Sequence, residues 1–236
     1  MASPTVHDFW VFGYGSLMWR PGFRFTERLP AAVTGYHRAL CIASTLHRGT
    51  PARPGLVLGL DRGGTCAGML YRVAPEDVPM VLAYLREREL IYGVYRETWV
   101  RAEMRKEEVA PAAESVPRAV TALAYTVERC HPSYLGRLPL ARQAEIVRGA
   151  RGQSGANLDY LLNTVRHLRE LGIRERPLER LAGVAAGHAA NASRDCEHRP
   201  CVRGLCRTWA RRPTRLPRLP SGDQRRFGHR LVPIAS

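Results

Sequence analysis

The chain has 236 residues, 45% of them hydrophobic and 24% charged, a balance that supports a buried core and excludes a wholly disordered or fibrous polymer. Its 36 basic and 21 acidic residues give a net charge of +15, of which residues 181–236 hold +8 through 11 arginines set against Asp195, Glu197 and Asp223. The excess is concentrated in a C-terminal tail, and with Lys106 as the sole lysine part of it reads as GC-rich codon bias instead of a nucleic-acid surface. No apolar run approaches the roughly 18 residues of a membrane span. Residues 1–8 lack the basic and apolar regions of a secretory signal, so a cytoplasmic location without a membrane partner is expected. The six cysteines are too few and too scattered for a small disulfide scaffold, and free thiols are expected.

In chain order, Phe9–Phe12 reads as a buried strand that opens at once into a glycine loop, Gly13-Tyr14-Gly15-Ser16. A strand follows at Tyr36–Ser44, then Gly55–Leu60 and Thr65–Val73, which the turn chemistry of Asp61–Gly64 predicts to be a tight hairpin. From Pro75 to Leu90 the period becomes helical, with Val78, Leu82 and Leu85 on one face. Two more strands are predicted at Tyr95–Met104 and Ala119–Glu128, then helices at Leu140–Gly149 and Asn157–Leu171. In the second helix Leu158, Leu161, Leu162, Val165 and Leu168 form an apolar stripe ended by Gly172. A weaker helix runs from Pro177 to about Ala190. Strands first and helices second indicate an α+β fold, a bent or barrel-like sheet flanked by helices. Residues 9–180 read as one folded unit and residues 181–236 as an Arg/Pro-rich tail without sustained periodicity.

The glycine loop matches neither a dinucleotide fingerprint nor a P-loop. Two glycines around one aromatic let the backbone approach a ligand and present N–H groups to a carboxylate or oxyanion, though a tight turn uses the same residues. Extending the stripe Val78, Leu82, Leu85 by four positions lands on Glu89, which puts a carboxylate on the inward face of its helix. Burial raises such a carboxyl toward neutrality, the condition for a general acid or base. A buried ion pair with Arg88 or Arg96 is the structural alternative. Glu87 faces elsewhere and reads as a solvated charge. Cys41 and Cys66 read as packing residues. In the tail, Cys196, His198, Cys201 and Cys206 fit no strong zinc template. A nucleic-acid-binding role is the alternative from another class, but Trp10, Phe12 and Tyr14 surround the glycine loop and are not interleaved with the basic cluster.

Five segments taken in order resemble one family, the ChaC-type glutathione-specific gamma-glutamylcyclotransferases of the bacterial branch. They are Val11–Trp19 with Pro21–Phe23, Ser44–Pro51 with Arg53–Gly55, Arg88-Glu89 with Gly93–Tyr95, Tyr134–Gly136, and Gly152–Leu161. The resemblance covers about residues 9–175. It implies a gamma-glutamylcyclotransferase-like mixed β-barrel with flanking helices, glutathione as substrate, 5-oxoproline and Cys-Gly as products, and neither metal nor organic cofactor. Another gamma-glutamyl peptide or amine is the alternative substrate, because the glutamyl end is read by the loop while the Cys-Gly end meets less identifiable surface. Nucleic acid is not required, and a monomer is the default. It also implies that Val11, Phe12, Gly13, Tyr14, Gly15, Ser16 and Leu17 hold the gamma-glutamyl group and that Glu89 matches the catalytic glutamate. Arg48 and Tyr134 are further candidates for substrate contact, one as a fork for carboxylates and the other as a phenolic donor.

Overall fold

The computed structural model describes residues 9–104 and 118–187. Its largest unit is a hairpin of two long strands, β2 (Glu27–Ser44) and β3 (Gly55–Val73), paired antiparallel from Glu27↔Arg72 to Ser44↔Gly55. The tight hairpin predicted at Asp61–Gly64 is not formed. Those residues lie inside β3, where the register passes from Thr34↔Thr65 to Tyr36↔Arg62, so that β3 carries an extra residue. Gly63 (φ 99°) and Gly64 (φ 71°) take the left-handed backbone that a bulge needs, opposite Gly35 at φ 90°. The same glycines that suit a turn here bend a continuous strand, because the first half of β2 supplies it with a partner. A second irregularity falls between Leu40 and Ile42. There the Cys41 carbonyl accepts from the Leu135 N–H at 2.8 Å, and the Ala43 N–H donates to the Ser133 carbonyl at 2.8 Å, drawing residues 133–135 against β2.

The short first strand, β1 (Phe9–Gly13), lies antiparallel on β3, and β4 (Tyr95–Met104) pairs with β5 (Ala119–Val127). Ala31–Val33 of β2 meets Ala102–Met104 of β4, and Val11 meets Leu123 of β5 in parallel. The sheet thus closes as a mixed barrel of order β1-β3-β2-β4-β5. Val11, Leu56, Leu60, Leu70, Tyr71 and Leu123 are buried on one or other face of this sheet, and each of the aliphatic ones contributes about 1.5–3 kcal/mol by burial.

A 3-10 turn, Pro75–Asp77, leads into α1 (Val78–Glu89), which is anchored by buried Val81 and Leu85. Helices α2 (Leu140–Gly149), α3 (Asn157–Glu170) and α4 (Arg176–Ala185) cover another side, and β6 (Arg151–Gly152) and β7 (Gly155–Ala156) form a small ribbon between α2 and α3. Leu178, Leu181, Ala182 and Ala185 of α4 are buried, so the folded unit reaches Ala185. The predicted stripe of α3 needs one correction: Leu162 is 41% exposed, whereas the polar Asn157 and Thr164 are buried. Asn157 earns that place by acting as a strand partner. Its carboxamide accepts from the Leu56 N–H and donates to the Leu56 carbonyl, both at 2.7 Å.

Candidate active site

After β1 the chain turns through Tyr14 and Gly15 into a 3-10 turn, Ser16–Met18. Arg38 holds this loop from beneath: its buried guanidinium donates to the Tyr14 carbonyl at 2.5 Å, to the Ala67 carbonyl at 2.6 Å and to the Glu175 carboxylate. The Tyr71 hydroxyl adds a second anchor, 2.9 Å from both the Leu17 and the Met18 carbonyl oxygens. As the first residues of a short helix, Ser16 and Leu17 have N–H groups without acceptors inside it.

Glu89 is the last residue of α1, one turn beyond fully buried Leu85, and its side chain is 18% exposed. The predicted inward face is therefore present, while Glu87 is exposed. The ion pair weighed as an alternative is present too, with Arg88 Nε 3.1 Å from Glu89 Oε1. That guanidinium also donates to Ser16 Oγ at 2.7 Å, to the Arg20 carbonyl at 2.9 Å and to the Tyr84 hydroxyl at 2.9 Å. One cation thus ties the end of α1 to the glycine loop. Burial raises the Glu89 pKa above the ordinary carboxylate value, and Arg88 opposes that rise without cancelling it.

Two cavities meet at Glu89. The inner one, about 60 Å³, lies between the glycine loop and Leu58 and is walled by Tyr14, Tyr95, Tyr125 and Tyr160. The outer one, about 780 Å³, has the size of a small-molecule site. Ser16, Glu89, Tyr95 and Tyr160 belong to both. The Tyr95 hydroxyl donates to the Leu58 carbonyl at 2.6 Å, and the Tyr160 hydroxyl accepts from the Leu58 N–H at 3.2 Å. Burial holds the Tyr14, Tyr95 and Tyr160 hydroxyls above their ordinary pKa, so near neutral pH they act as uncharged hydrogen-bonding groups.

The β2–β3 connection carries His47 and Arg48 into the outer cavity. It is clamped by the β6–β7 ribbon: the Gln153 N–H donates to the Leu46 carbonyl at 2.8 Å and the Ser154 N–H to the His47 carbonyl at 3.0 Å. The ribbon comes so close at Gly152 that a Cβ there would lie 2.4 Å from the Leu46 oxygen. Arg48 donates to the Ser154 carbonyl and lies over the Tyr160 ring, 5.1 Å from its centroid. Burial, then Arg48, lowers the His47 pKa.

Of the residues singled out from sequence, Tyr14, Gly15, Ser16, Leu17 and Glu89 converge on the inner cavity, and Arg48 lies on the outer one. Val11 and Phe12 are buried in the barrel wall and Gly13 pairs with Met69 in the β1–β3 ladder; none of these lines either cavity. Tyr134 does not line them either. Its hydroxyl donates to Asp61 Oδ2 at 2.8 Å, while Arg129 Nε donates to Asp61 Oδ1 at 2.7 Å. This latch keeps the Asp61 carboxyl below its ordinary pKa and fixes the segment whose His131, Pro132 and Ser133 form part of the outer wall. Sequence reading assigned no role to Arg38, Asn157, Tyr95, Tyr125 or Tyr160, although Tyr95, Asn157 and Tyr160 lie in the segments that carry the family resemblance. Cys41 and Cys66 are buried as expected. Among the described residues no cluster of three or more His, Cys, Asp or Glu side chains has metal-site geometry, and no helix is long and apolar enough to cross a membrane. Cys196, His198, Cys201 and Cys206 lie outside the described residues.

A family model described as ChaC-like protein matches residues 9–185. The chain belongs to the ChaC-like family. Among this ChaC-like chain's relatives, the glutathione-specific gamma-glutamylcyclotransferase of Escherichia coli K12 is 34% identical over 178 residues, 75% of this chain and 73% of that protein. The gamma-glutamylcyclotransferase 2-3 of Arabidopsis thaliana is 36% identical over 176 residues, 73% of this chain and 86% of the relative. The crystal structure of the selenomethionine-labelled gamma-glutamyl cyclotransferase specific to glutathione from yeast superposes with a TM-score of 0.65 at 23% identity, covering 79% of this chain and 99% of that one. The ChaC-like chain shares that α+β fold.

Proposed function

We propose that this ChaC-like chain is a gamma-glutamylcyclotransferase that cleaves glutathione into 5-oxoproline and Cys-Gly. The observation that carries the reading is the place of Glu89: a half-buried carboxylate of raised proton affinity at the junction of a small pocket beside the glycine loop and a cavity large enough for a peptide. The names of the Escherichia coli and Arabidopsis relatives support the same reaction class.

In the reaction the glutamyl α-nitrogen attacks the γ-carbonyl carbon and the bond from that carbon to the cysteinyl nitrogen breaks. No external nucleophile is needed, because holding the substrate curled gives the internal amine a large effective molarity. Two protons leave the attacking ammonium and two reach the leaving nitrogen, and Glu89 is placed to accept and return them. The Ser16 and Leu17 N–H groups are candidates to hold the glutamyl α-carboxylate or the oxygen that gains charge at the γ-carbon. The tyrosine hydroxyls near Glu89 supply uncharged contacts, and Arg88 fixes the carboxylate against the loop. A cytoplasmic location belongs to the same proposal. Incubation of the purified chain with glutathione, followed by mass spectrometry, is expected to yield 5-oxoproline and Cys-Gly in equal amounts. Unchanged glutathione at micromolar enzyme would refute the reading.

A further inference from the structure

The outer cavity is more cationic than Glu89 requires. Arg20, Arg48, Arg88 and Arg166 line it, and among the described residues Glu89 is its one carboxylate. Arg88 is engaged by Glu89 and Ser16, and Arg166 has Glu170 at 3.8 Å. Arg48 stands apart. Its guanidinium is held by neutral groups, the Ser154 carbonyl and the Tyr160 ring, and Asp159 is felt only at longer range. A guanidinium drawn partly out of water without a carboxylate beside it is incompletely compensated, and its planar fork matches a carboxylate in two parallel hydrogen bonds.

Its position says which end of a substrate it meets. Tyr160 lines both cavities, whereas Arg48 lines only the outer one, on the Tyr160 ring. With the glutamyl end at the glycine loop and Glu89, Arg48 faces the part of the substrate that departs. Resting on the cyclotransferase reading, we propose that Arg48 binds the carboxylate at the far end of the leaving group, so that the enzyme selects γ-glutamyl peptides with a free C-terminal carboxylate over neutral γ-glutamyl amides and amines. The guanidinium of Arg166 adds to the attraction through the positive field of the cavity.

The test compares kcat/KM for glutathione and for glutathione amidated at its glycine carboxylate, in the wild type and in Arg48→Gln and Arg48→Lys. The wild type is expected to favour the free acid by about tenfold to a hundredfold, the range for a hydrogen bond to a charged group. Arg48→Gln is expected to bring that preference below about threefold, and Arg48→Lys, which keeps the charge and loses the fork, to leave an intermediate value. Equal wild-type turnover of acid and amide overturns the assignment whatever the variants do, as does an Arg48→Gln loss of the same factor on both substrates. If Arg48→Gln does not fold, Arg48→Lys decides, because an undiminished preference in it also overturns the assignment. Turnover of neither compound by the wild type refutes the cyclotransferase reading instead, so the two failures are distinct.

Discussion

Replacing Glu89 by Gln separates its chemistry from its packing. The side chain keeps its shape, and its amide oxygen can still accept from Arg88 Nε, which lies 3.1 Å from the wild-type oxygen. What is lost on the stability side is charge assistance in one hydrogen bond, about 1 kcal/mol. Arg88 retains Ser16 Oγ, the Arg20 carbonyl and the Tyr84 hydroxyl as acceptors, so it is not stranded. Relief of carboxylate desolvation works in the opposite direction, and the net change is expected to lie within about 1 kcal/mol. Turnover of glutathione, by contrast, is expected to fall about 10²- to 10⁴-fold, the usual contribution of a positioned acid or base. The pH dependence gives a second handle. Because the folded Glu89 pKa is raised, the group's favourable contribution to stability is present below the unfolded carboxylate value, about 4.3, and is lost as pH climbs through the folded one. The wild type should therefore lose melting temperature relative to Glu89→Gln across that window. The acid limb of its kcat/KM profile should sit above the ordinary carboxylate range. The assay is 5-oxoproline release alongside thermal melting from pH 4 to 8, with Glu87→Gln as the exposed neighbour control. A folded Glu89→Gln protein within about threefold of wild-type turnover, or a loss of activity that merely follows unfolding, would defeat the assignment.

Gly15→Val is expected to leave the protein folded, since the nearest atom to a Cβ there is Leu58 Cδ1 at 3.7 Å. Its methyl groups enter the inner cavity of about 60 Å³, so kcat/KM for glutathione should drop at least about tenfold. Asn157→Ala strips the buried Leu56 N–H and carbonyl of their partner; denaturant unfolding should register a loss of about 2–5 kcal/mol. Truncation after Ala190, beyond both the last helix and the family match, is expected to preserve glutathione turnover. An inactive or insoluble product would place part of the catalytic unit in the tail.

Much of this architecture is legible in local pattern. Glu89 announces itself because a carboxylate four residues after Leu85 must share that residue's face of α1, and the two glycines around Tyr14 mark a loop open to a ligand. Where sequence reading fails, the deciding partner is remote. Asp61–Gly64 looks like a turn until β2 supplies a partner along its whole length. The first half of that strand is itself hard to see, because Pro30, Ala31 and Ala32 carry little strand signature. Arg38 meets Tyr14, Ala67 and Glu175, which no periodicity joins. Tyr134 resembles a substrate contact by its motif, yet its hydroxyl is directed to Asp61, 73 residues away in sequence. The two readings weighed for Glu89, base and ion pair, are compatible in the fold, since Arg88 pairs with the carboxylate without abolishing its raised proton affinity.

The strand that carries the glycine loop is also the strand that shuts the barrel. The β2–β3 hairpin joins neighbouring stretches of chain and can form early, whereas the contact of Val11 with Leu123 and the Arg38–Glu175 clamp, which spans 137 residues, must wait for distant segments to arrive. The glycine loop, whose Tyr14 carbonyl is held by Arg38, therefore takes this shape only when those closures are made. A chain with the hairpin paired and those two closures open lacks the Arg38 anchor of the Tyr14 carbonyl. If the glycine loop is the site, activity is expected to vanish with the closures and not with the hairpin, which 5-oxoproline release measured beside amide exchange of β2 and β3 through thermal unfolding would check.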